Sequence, residues 1–236
     1  MDSQNRERDL SEFENDSILQ DQLKETLLFF KEIGVEFLEI EADDPGFLIN
    51  EINNEIRNCT KCQLHKTKIH YVPGEGSFSP DVLFIGEGPG ETEDRFGRPF
   101  IGKAGQLLDK ILEKMGYKRD QVFIGNIIKC RPPNNRNPLK DEVDACIPYL
   151  KRQIDVLKPK VLVCLGKVAL ENLLDGRYSI TRVRGQCFEY NGIPVVPTFH
   201  PSYILHQRSQ QEISKAKWSV WEDMQKVLSI IKDKSD

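Results

Sequence analysis

Several features common in proteins are missing from this sequence of 236 residues. No apolar run approaches the roughly 20 residues that a membrane-spanning helix requires, so we expect no transmembrane segment. The stretch MDSQNRERDLSEFEND at the start contains no hydrophobic signal core, and we therefore do not expect export. No internal repeat and no low-complexity segment is visible. The composition that remains, 39% hydrophobic and 30% charged residues, is typical of a globular protein with a sizeable core.

The net charge of −4 conceals an uneven distribution. Residues 1–50 contain 14 acidic and 4 basic side chains, a balance of −10, whereas residues 51–236 contain 23 acidic and 29 basic ones, a balance of +6. We therefore predict an acidic, partly helical N-terminal extension over residues 1–47 and a basic body over residues 48–236. The body suits a polyanionic partner, although a scattered, solvated surface accounts for the same balance.

The body alternates short apolar runs with helical patterns. The runs lack the polar–apolar alternation of a half-exposed strand, which indicates strands covered on both faces and hence a parallel sheet. They lie at residues 81–86, 122–128, 160–166 and 193–199. The sequence therefore predicts an α/β fold, a three-layer α/β/α sandwich with a central, mostly parallel four-stranded sheet.

Helices are predicted where apolar residues recur every three or four positions. In the N-terminal extension this pattern falls on Leu23, Leu27, Phe30 and Ile33. In the body, one stripe ends at Gly116, which suits a C-cap, and another follows Asn137-Pro138, which suit the cap and first turn of a helix. Further helices are predicted at residues 47–56, at residues 168–174 and near the C-terminus.

Four of the six cysteines have the spacing of a metal site. One pair is Cys-x2-Cys in a loop and the other two come from distant segments; the four are Cys59, Cys62, Cys130 and Cys146. Without export they meet a reducing environment, in which close pairs more often bind metal or do redox chemistry than form disulfides. Zinc and a [4Fe–4S] cluster both accept four cysteines, and the alternative for Cys130 and Cys146 is a small buried apolar role. Cys164 is expected in the core, and Cys187 has no partner at a useful spacing.

A glycine-rich loop, Gly86-Glu-Gly-Pro-Gly90, follows the first strand, where open α/β sheets bind their ligands. It lacks the Lys-Ser/Thr pair of a P-loop, and the carboxylates of Glu87 and Glu93 would repel a phosphate. We therefore expect close backbone approach to a neutral ligand, with a carboxylate nearby for water. An ordinary structural turn is the simpler alternative.

Three further side chains are predicted at the same edge of the sheet. The last strand leads to His200, the second strand delivers Asn126, and Phe100 follows the glycine loop. An aromatic face, an amide, an imidazole and backbone N–H groups at one rim describe a pocket for a flat heterocycle. A lone histidine at a strand end is also compatible with a structural role.

Ordered blocks around these residues resemble the iron–sulfur (family 4) uracil-DNA glycosylases. The blocks are GEGPGETED at residues 86–94, GRPFIGKAGQLL at 97–108, NIIKCRPP at 126–133 and HPSYIL at 200–205. The resemblance extends over about residues 55–230. The region before about residue 48 has no recognised counterpart, so its role stays open.

The resemblance implies a cofactor and a mode of base recognition. An architectural [4Fe–4S] cluster would be held by Cys59, Cys62, Cys130 and Cys146. Phe100 would stack on uracil, and Asn126 would read its Watson–Crick edge, since an amide can accept from N3–H and donate to O4. The Glu87-Gly88 backbone would hold the base from the other side.

The resemblance also implies catalytic roles, because breaking the N-glycosidic bond leaves negative charge on uracil and positive character on the sugar. His200 would donate a hydrogen bond to O2 of the leaving base. Glu93 would position or activate water, with Glu87 as the second choice. Gly88 occupies the place where the most active families of this superfamily carry an aspartate base.

Contacts with DNA are expected around the loop after His200. The segment Tyr203-Ile204-Leu205 resembles the family's wedge, which fills the space vacated by a flipped base. The predicted phosphate contacts are Lys103, Arg131, Arg136, His206 and Arg208.

The implied function is a monofunctional DNA repair glycosylase that flips uracil out of single- or double-stranded DNA, hydrolyses its glycosidic bond and leaves an abasic site. The alternatives are a catalytically weak DNA-binding or uracil-sensing relative, and a zinc-stabilised domain with unrelated chemistry. We expect a cytoplasmic, nucleoid-associated monomer. The acidic extension is expected to be dispensable for the chemistry, and to restrain DNA binding or recruit a protein partner.

Overall fold

The computed structural model describes residues 44–234, together with residues 25, 29 and 32–34. The chain divides into two units, Met1–Ala42 and Asp43–Asp236. In the first unit, residues 25, 29 and 32 are helical and Ile33 lies in a turn. The other three residues of the helical pattern predicted there, Leu23, Leu27 and Phe30, lie outside the described residues.

A six-stranded mixed sheet forms the centre of the second unit. Its strands are β1 (Glu75–Gly76), β2 (Val82–Gly86), β3 (Phe123–Asn126), β4 (Val161–Leu165), β5 (Phe188–Tyr190) and β6 (Ile193–Thr198). They lie in the order β1-β3-β2-β4-β6-β5. The four inner strands are mutually parallel and correspond to the four predicted runs, whereas β1 and β5 are antiparallel edges.

The predicted number of four strands was wrong because the two edge strands carry no continuous apolar run. β1 has two residues, and its Gly76 has a φ of 134°. A side chain at Gly76 would place its Cβ 1.9 Å from the carbonyl oxygen of Val122, so only glycine fits. In β5, the half-buried Phe188 and Tyr190 flank an exposed Glu189. Short, partly exposed strands of this kind are how sheets commonly end.

Helices cover both faces of the sheet, which confirms the predicted three-layer α/β/α arrangement. Those described in the second unit are α1 (Pro45–Arg57), α2 (Glu91–Phe96), α3 (Lys103–Met115), α4 (Lys140–Leu157), α5 (Lys167–Leu173), α6 (Ile180–Val183), α7 (Pro201–Leu205) and α8 (Gln210–Asp233). Helices α1, α4 and α5 share one hydrophobic cluster with the sheet, and α3, α7 and α8 share the other. Within the described part of the chain, no helix has the length and apolarity to cross a membrane.

Every residue of β2 and β4 is buried, which explains why these runs do not alternate. In β2, Leu83 and Ile85 belong to the cluster that contains Ile154 of α4. Phe84 belongs to the opposite cluster with Leu108 of α3. Burying each side chain of this size stabilises the fold by about 1.5–3 kcal/mol, so the two clusters hold the three layers together.

Two helix ends follow their local chemistry. Asp44 caps α1, because its Oδ1 accepts a hydrogen bond from the N–H of Phe47 at 2.7 Å. Helix α3 ends, as predicted, at Gly116, which adopts a left-handed conformation with a φ of 85°.

The start of α4 differs from the prediction, since the helix begins at Lys140 and not at Asn137-Pro138. The carboxylate of Glu142 accepts a hydrogen bond from the N–H of Leu139 at 2.8 Å and caps the helix from within its first turn. The same carboxylate pairs with both terminal nitrogens of Arg136, at 2.7 and 2.8 Å. The segment before α4 is therefore fixed by a charged pair that local sequence rules do not reveal.

The inner strands all end at one edge of the sheet because they run parallel. Their last residues are Gly86, Asn126, Leu165 and Thr198. The loops that follow these residues meet at this edge, where open α/β sheets form their ligand crevice.

Candidate active site and four-cysteine pocket

A cleft of about 590 Å³ opens at this edge of the sheet. The loops after all four inner strands contribute to its wall. All five residues predicted to bind or act on a base line it, together with the predicted second carboxylate: Glu87, Gly88, Glu93, Phe100, Asn126 and His200. Of the predicted DNA contacts, Arg136 and His206 also line this cleft.

Asn126, the last residue of β3, is 1% exposed and carries an unsatisfied acceptor. Its Oδ1 is the one buried side-chain N or O atom in the described part of the chain that has no hydrogen-bond partner. Buried polar atoms are nearly always paired, because leaving one unpaired costs about 1–3 kcal/mol. An unpaired amide oxygen that lines a cleft is therefore positioned to accept a hydrogen bond from a ligand.

Phe100 presents a buried aromatic ring in the same cleft, from a backbone held in an uncommon conformation. Its φ is 49°, in the left-handed region, and the carbonyl of Phe100 accepts a hydrogen bond from Arg119 at 2.9 Å. A side chain at Gly105 would place its Cβ 1.8 Å from that carbonyl oxygen, so glycine at 105 lets α3 approach this backbone. The ring centroid lies 5.5 Å from that of His200, and the two planes are inclined by 37°.

The tautomer of His200 is determined by the turn that follows it. Its Nδ1 accepts a hydrogen bond from the N–H of Ser202 at 3.1 Å, and the Ser202 hydroxyl lies 2.7 Å from the same nitrogen. The proton of a neutral imidazole must therefore be on Nε2. Burial lowers the pKa of His200 to about 4, although the Glu93 carboxylate opposes this shift. At neutral pH, His200 is an uncharged Nε2–H donor.

Glu93 is a carboxylate with one oxygen fixed and the other available. Its Oε1 accepts hydrogen bonds from the N–H groups of Ile101 and Gly102, at 3.0 and 2.8 Å. No described residue donates to its Oε2. Glu87 also faces the cleft, and burial raises the pKa of its carboxyl group. Glu93 thus has the more rigidly defined position of the two.

Gly88 is closely approached by a buried side chain. A Cβ at this position would lie 2.7 Å from Cγ1 of Ile128, which is fully buried. The place at which relatives in the superfamily are expected to carry an aspartate is therefore closed to a side chain unless Ile128 moves.

The predicted wedge lies directly after His200. Tyr203 and Leu205, on α7, are 42% and 48% exposed, whereas Ile204 is buried in the core. The Tyr203 ring stacks on Phe199, with centroids 4.4 Å apart. Helix α7 thus carries the exposed side chain of Leu205, and the buried side chain of Ile204 packs the same helix against the core.

The predicted cationic contacts have different surroundings. Lys103, at the start of α3, and Arg208, before α8, are exposed. Arg131 donates to Asn135 at 2.7 Å, and Arg136 is held by Glu142 as described above. Lys103 and Arg208 are therefore open to a phosphate, whereas the two other arginines already have partners.

Two contributors to this cleft were not singled out from the sequence. Ser202 fixes the ring of His200, and its position two residues after the histidine was the available signal. Glu142 holds Arg136 at the cleft wall, and nothing in the local sequence indicates that pairing because the helix start itself was misplaced.

The four cysteines with metal-site spacing line a second, narrow pocket. Cys59 and Cys62 lie in the segment after α1, Cys130 follows β3, and Cys146 lies on α4. No group of three or more histidine, cysteine, aspartate or glutamate side chains among the described residues is arranged as a ready metal site. The chemistry of the four thiols nevertheless fits a metal centre, since three chain segments bring them to one pocket and no other described histidine, aspartate or glutamate except His65 lines it.

Burial raises the pKa of Cys146 to about 11, although Lys129 opposes this shift, and burial also raises the pKa of Cys62. These thiols would therefore stay protonated at neutral pH unless a bound cation displaced the protons. Cys164 is fully buried in β4, as predicted, and Cys187 is exposed and does not line the pocket.

The fold and the cleft together define an α/β protein with a cleft at the carboxyl edge of its sheet, lined by an aromatic ring, a buried amide and an imidazole. The sequence model of the uracil DNA glycosylase superfamily matches residues 73–225. The chain is 44% identical over 187 residues to a type-4 uracil-DNA glycosylase of Thermotoga maritima, covering 78% of this chain and 95% of that protein.

Two further relatives are similar to the same extent. The type-4 uracil-DNA glycosylase of Archaeoglobus fulgidus is 42% identical over 172 residues, which are 70% of this chain and 86% of that protein. That of Sulfurisphaera tokodaii is 44% identical over 174 residues, 70% of this chain and 79% of that protein. The chain belongs to the uracil DNA glycosylase superfamily, among its type-4 members, and the resemblance seen in the sequence motifs is confirmed.

Proposed function

We propose that this protein is a monofunctional DNA repair glycosylase that flips uracil out of DNA, hydrolyses its N-glycosidic bond and leaves an abasic site. The observation that carries the proposal is the unpaired, buried Oδ1 of Asn126 in a cleft that also presents an aromatic ring and a neutral imidazole. The type-4 uracil-DNA glycosylases similar to this chain support the same substrate.

Asn126 and Phe100 select the base. The Oδ1 of Asn126 accepts from uracil N3–H while its Nδ2 donates to O4, and this pattern opposes the N3 acceptor and N4 amino group of cytosine. Phe100 stacks on the flat face of the ring. Its backbone is already constrained, so binding the base requires little further ordering of this segment and little loss of entropy. The backbone of Glu87 and Gly88 borders the base from the opposite side.

His200 stabilises the leaving base. As the glycosidic bond breaks, negative charge develops on uracil, and the Nε2–H of the neutral imidazole donates to O2. A donor fixed in advance at the place where charge develops stabilises the transition state by about 3–4 kcal/mol. The hydrogen bond from Ser202 to Nδ1 keeps the proton on the nitrogen that faces the substrate.

Glu93 positions the water that attacks the sugar. The two backbone N–H groups hold one oxygen, which leaves Oε2 to orient a water molecule and accept its proton. The negative charge of the carboxylate also stabilises the positive character of the sugar. Glu87 is the second choice, because no hydrogen bond between described residues fixes its carboxylate.

DNA is gripped beside the cleft while the target nucleotide leaves the stack. Leu205, with Tyr203, fills the space left by the flipped base, which offsets part of the cost of unstacking. Lys103 and Arg208 contact phosphates, and Arg136 contributes charge at the cleft wall while paired with Glu142.

Cys59, Cys62, Cys130 and Cys146 would hold a [4Fe–4S] cluster. When bound, the cluster ties the segment before the sheet to β3 and α4 and supplies no electron to glycosidic cleavage. Support comes from the all-thiol donor set in one pocket and from the motif resemblance. We expect about four irons per chain in anaerobically purified protein. Cys59→Ala should lose iron while Cys187→Ala retains it, and stoichiometric zinc without iron would contradict the cluster.

The function is tested by incubating anaerobically purified protein with an oligonucleotide that contains one uracil, followed by alkali to cleave abasic sites. We expect strand cleavage at that position and free uracil in stoichiometric amount. The matched substrate has cytosine at the same position and should stay intact. Binding of the uracil substrate by folded, iron-loaded protein without any release would favour a uracil-sensing relative instead.

A further inference from the structure

Lys129 is a buried cation without a buried anion. It lies between β3 and Cys130 and is 1% exposed. None of the ion pairs between described residues involves it. Its ammonium group can donate three hydrogen bonds, and the described residues supply one acceptor, Oε1 of Gln153 at 2.8 Å. A buried charge is costly unless an opposite charge compensates it.

Lys129 lies at the four-cysteine pocket. Lys129 lines this pocket with the four thiols, and its backbone N–H donates to Sγ of Cys146 at 3.2 Å. Gln153 is itself fixed, because its Nε2 donates to the carbonyl of Pro73 at 3.0 Å and to Oδ1 of Asn53 at 3.3 Å. The lysine is therefore anchored beside the pocket by a neutral amide and not by a carboxylate.

We propose that the ammonium group of Lys129 is the buried counter-charge of the four-thiolate iron–sulfur centre and tunes its reduction potential. This inference rests on the cluster proposed above. Four thiolates around a [4Fe–4S]²⁺ core carry a net charge of −2, so the anion that Lys129 lacks among the described side chains is the cluster with its ligands. Lys129 acts on the cluster through charge and contacts neither DNA nor uracil.

The same pocket contains an exposed lysine that serves as the control. Lys61 lines the pocket, and its Nζ lies 4.6 Å above the ring centre of Tyr149, but the residue is open to solvent. Lys61→Met and Lys129→Met remove the same charge and differ in burial. Water screens a charge more strongly than protein does, so the exposed Lys61 should influence the cluster less than the buried Lys129.

The experiment measures the midpoint reduction potential of the cluster in anaerobically purified, iron-loaded full-length protein, by a redox titration with dithionite that is followed by absorbance. In Lys129→Met the potential should become more negative, because the lost positive charge no longer favours addition of an electron. The shift should be clearly larger than in Lys61→Met, because the buried charge is screened less. Cluster bleaching in air should also be faster in Lys129→Met than in Lys61→Met.

A second variant guards against loss of folding. In Lys129→Gln the charge is removed, but a hydrogen-bond donor remains at this position for Oε1 of Gln153, and the bonds from Gln153 to Pro73 and Asn53 are left intact. This variant should show the same negative shift. Equal potentials in iron-loaded wild-type, Lys129→Met and Lys129→Gln proteins would overturn the counter-charge while leaving the cluster in place. A Lys129→Gln protein that folds but cannot hold iron would assign Lys129 to pocket assembly and also overturn the proposal. Zinc without iron in wild-type protein would instead overturn the cluster itself.

Discussion

Replacing Asn126 by aspartate tests base recognition with a very small change of shape. In the proposed complex the amide accepts from N3–H and donates to O4, and its Oδ1 has no other partner among the described residues. A carboxylate at this place puts an acceptor where the amide has its Nδ2 donor, so two acceptors face each other at O4. A buried hydrogen bond lost in this way costs about 1–3 kcal/mol. That cost corresponds to roughly a 5- to 150-fold slower release of uracil.

The pH dependence of this variant provides a sharper signature. Burial at this position, where the native side chain is 1% exposed, raises the pKa of an introduced carboxyl group. The protonated carboxyl has one O–H donor and one carbonyl acceptor, so it can reproduce the pattern of the amide. The rate of Asn126→Asp relative to wild type should therefore rise as pH falls. Because the variant rate is divided by the wild-type rate at each pH, titrating groups that affect both proteins equally do not change this ratio.

The assay is single-turnover release of uracil at saturating enzyme, across a series of pH values. Asn137→Asp is the matched control, since Asn137 lines the same cleft but is exposed, and its rate should stay near that of wild type. A wild-type rate in folded, iron-loaded Asn126→Asp would remove Asn126 from base recognition. A reduced ratio that does not change with pH would show that the pocket was distorted and not that its donor pattern was inverted.

Three further predictions concern Glu93, His200 and the N-terminal unit. Glu93→Gln keeps an oxygen for the Ile101 and Gly102 amides but removes the base, so single-turnover release should slow by about 10²–10⁴-fold without loss of thermal stability. The pKa of His200 is about 4 in the folded protein and 6.5 ordinarily, so the unfolded state binds more protons as pH falls between these values. Urea titrations should accordingly show about 2 kcal/mol less stability from this group at pH 5 than at pH 7, and His200→Gln should lack that part of the loss. Deleting residues 1–42, which spares the Asp44 cap of α1, should leave single-turnover release unchanged; a collapse in a soluble, iron-loaded truncation would place the acidic unit in the active domain.

The parts of the fold that the sequence predicted are those governed by burial and local chemistry. The inner strands were recognised because both their faces are buried, and the parallel arrangement then brought Asn126 and His200 to one edge. The edge strands were missed because pairing with a neighbour, and not an apolar run, makes them strands. Pairing partners that are distant in sequence leave no such local trace.

Within the site, residue types were predictable and their constraints were not. The left-handed backbone of Phe100 depends on Arg119, which comes 19 positions later, and on the close approach of Gly105. The Asn126 oxygen is unpaired because no donor among its neighbours in the folded structure reaches it, and a local sequence pattern cannot show this. Lys129 is part of a recognised motif, yet only its burial and its missing anion distinguish it from a surface lysine.

The close contact between Gly88 and Ile128 restricts how this enzyme could evolve. Gaining an aspartate at position 88 would supply a further carboxylate beside Glu87 and Glu93, but a Cβ there lies 2.7 Å from the Ile128 side chain. Valine at position 128 would lose Cδ1 but keep the Cγ carbon that makes this contact, so clearing the space takes alanine, at a cost of about 2–5 kcal/mol. An aspartate at position 88 is therefore expected to need a change at position 128 as well. A carboxylate at position 88 is therefore open only to a protein whose core is stable enough to tolerate a smaller side chain at position 128.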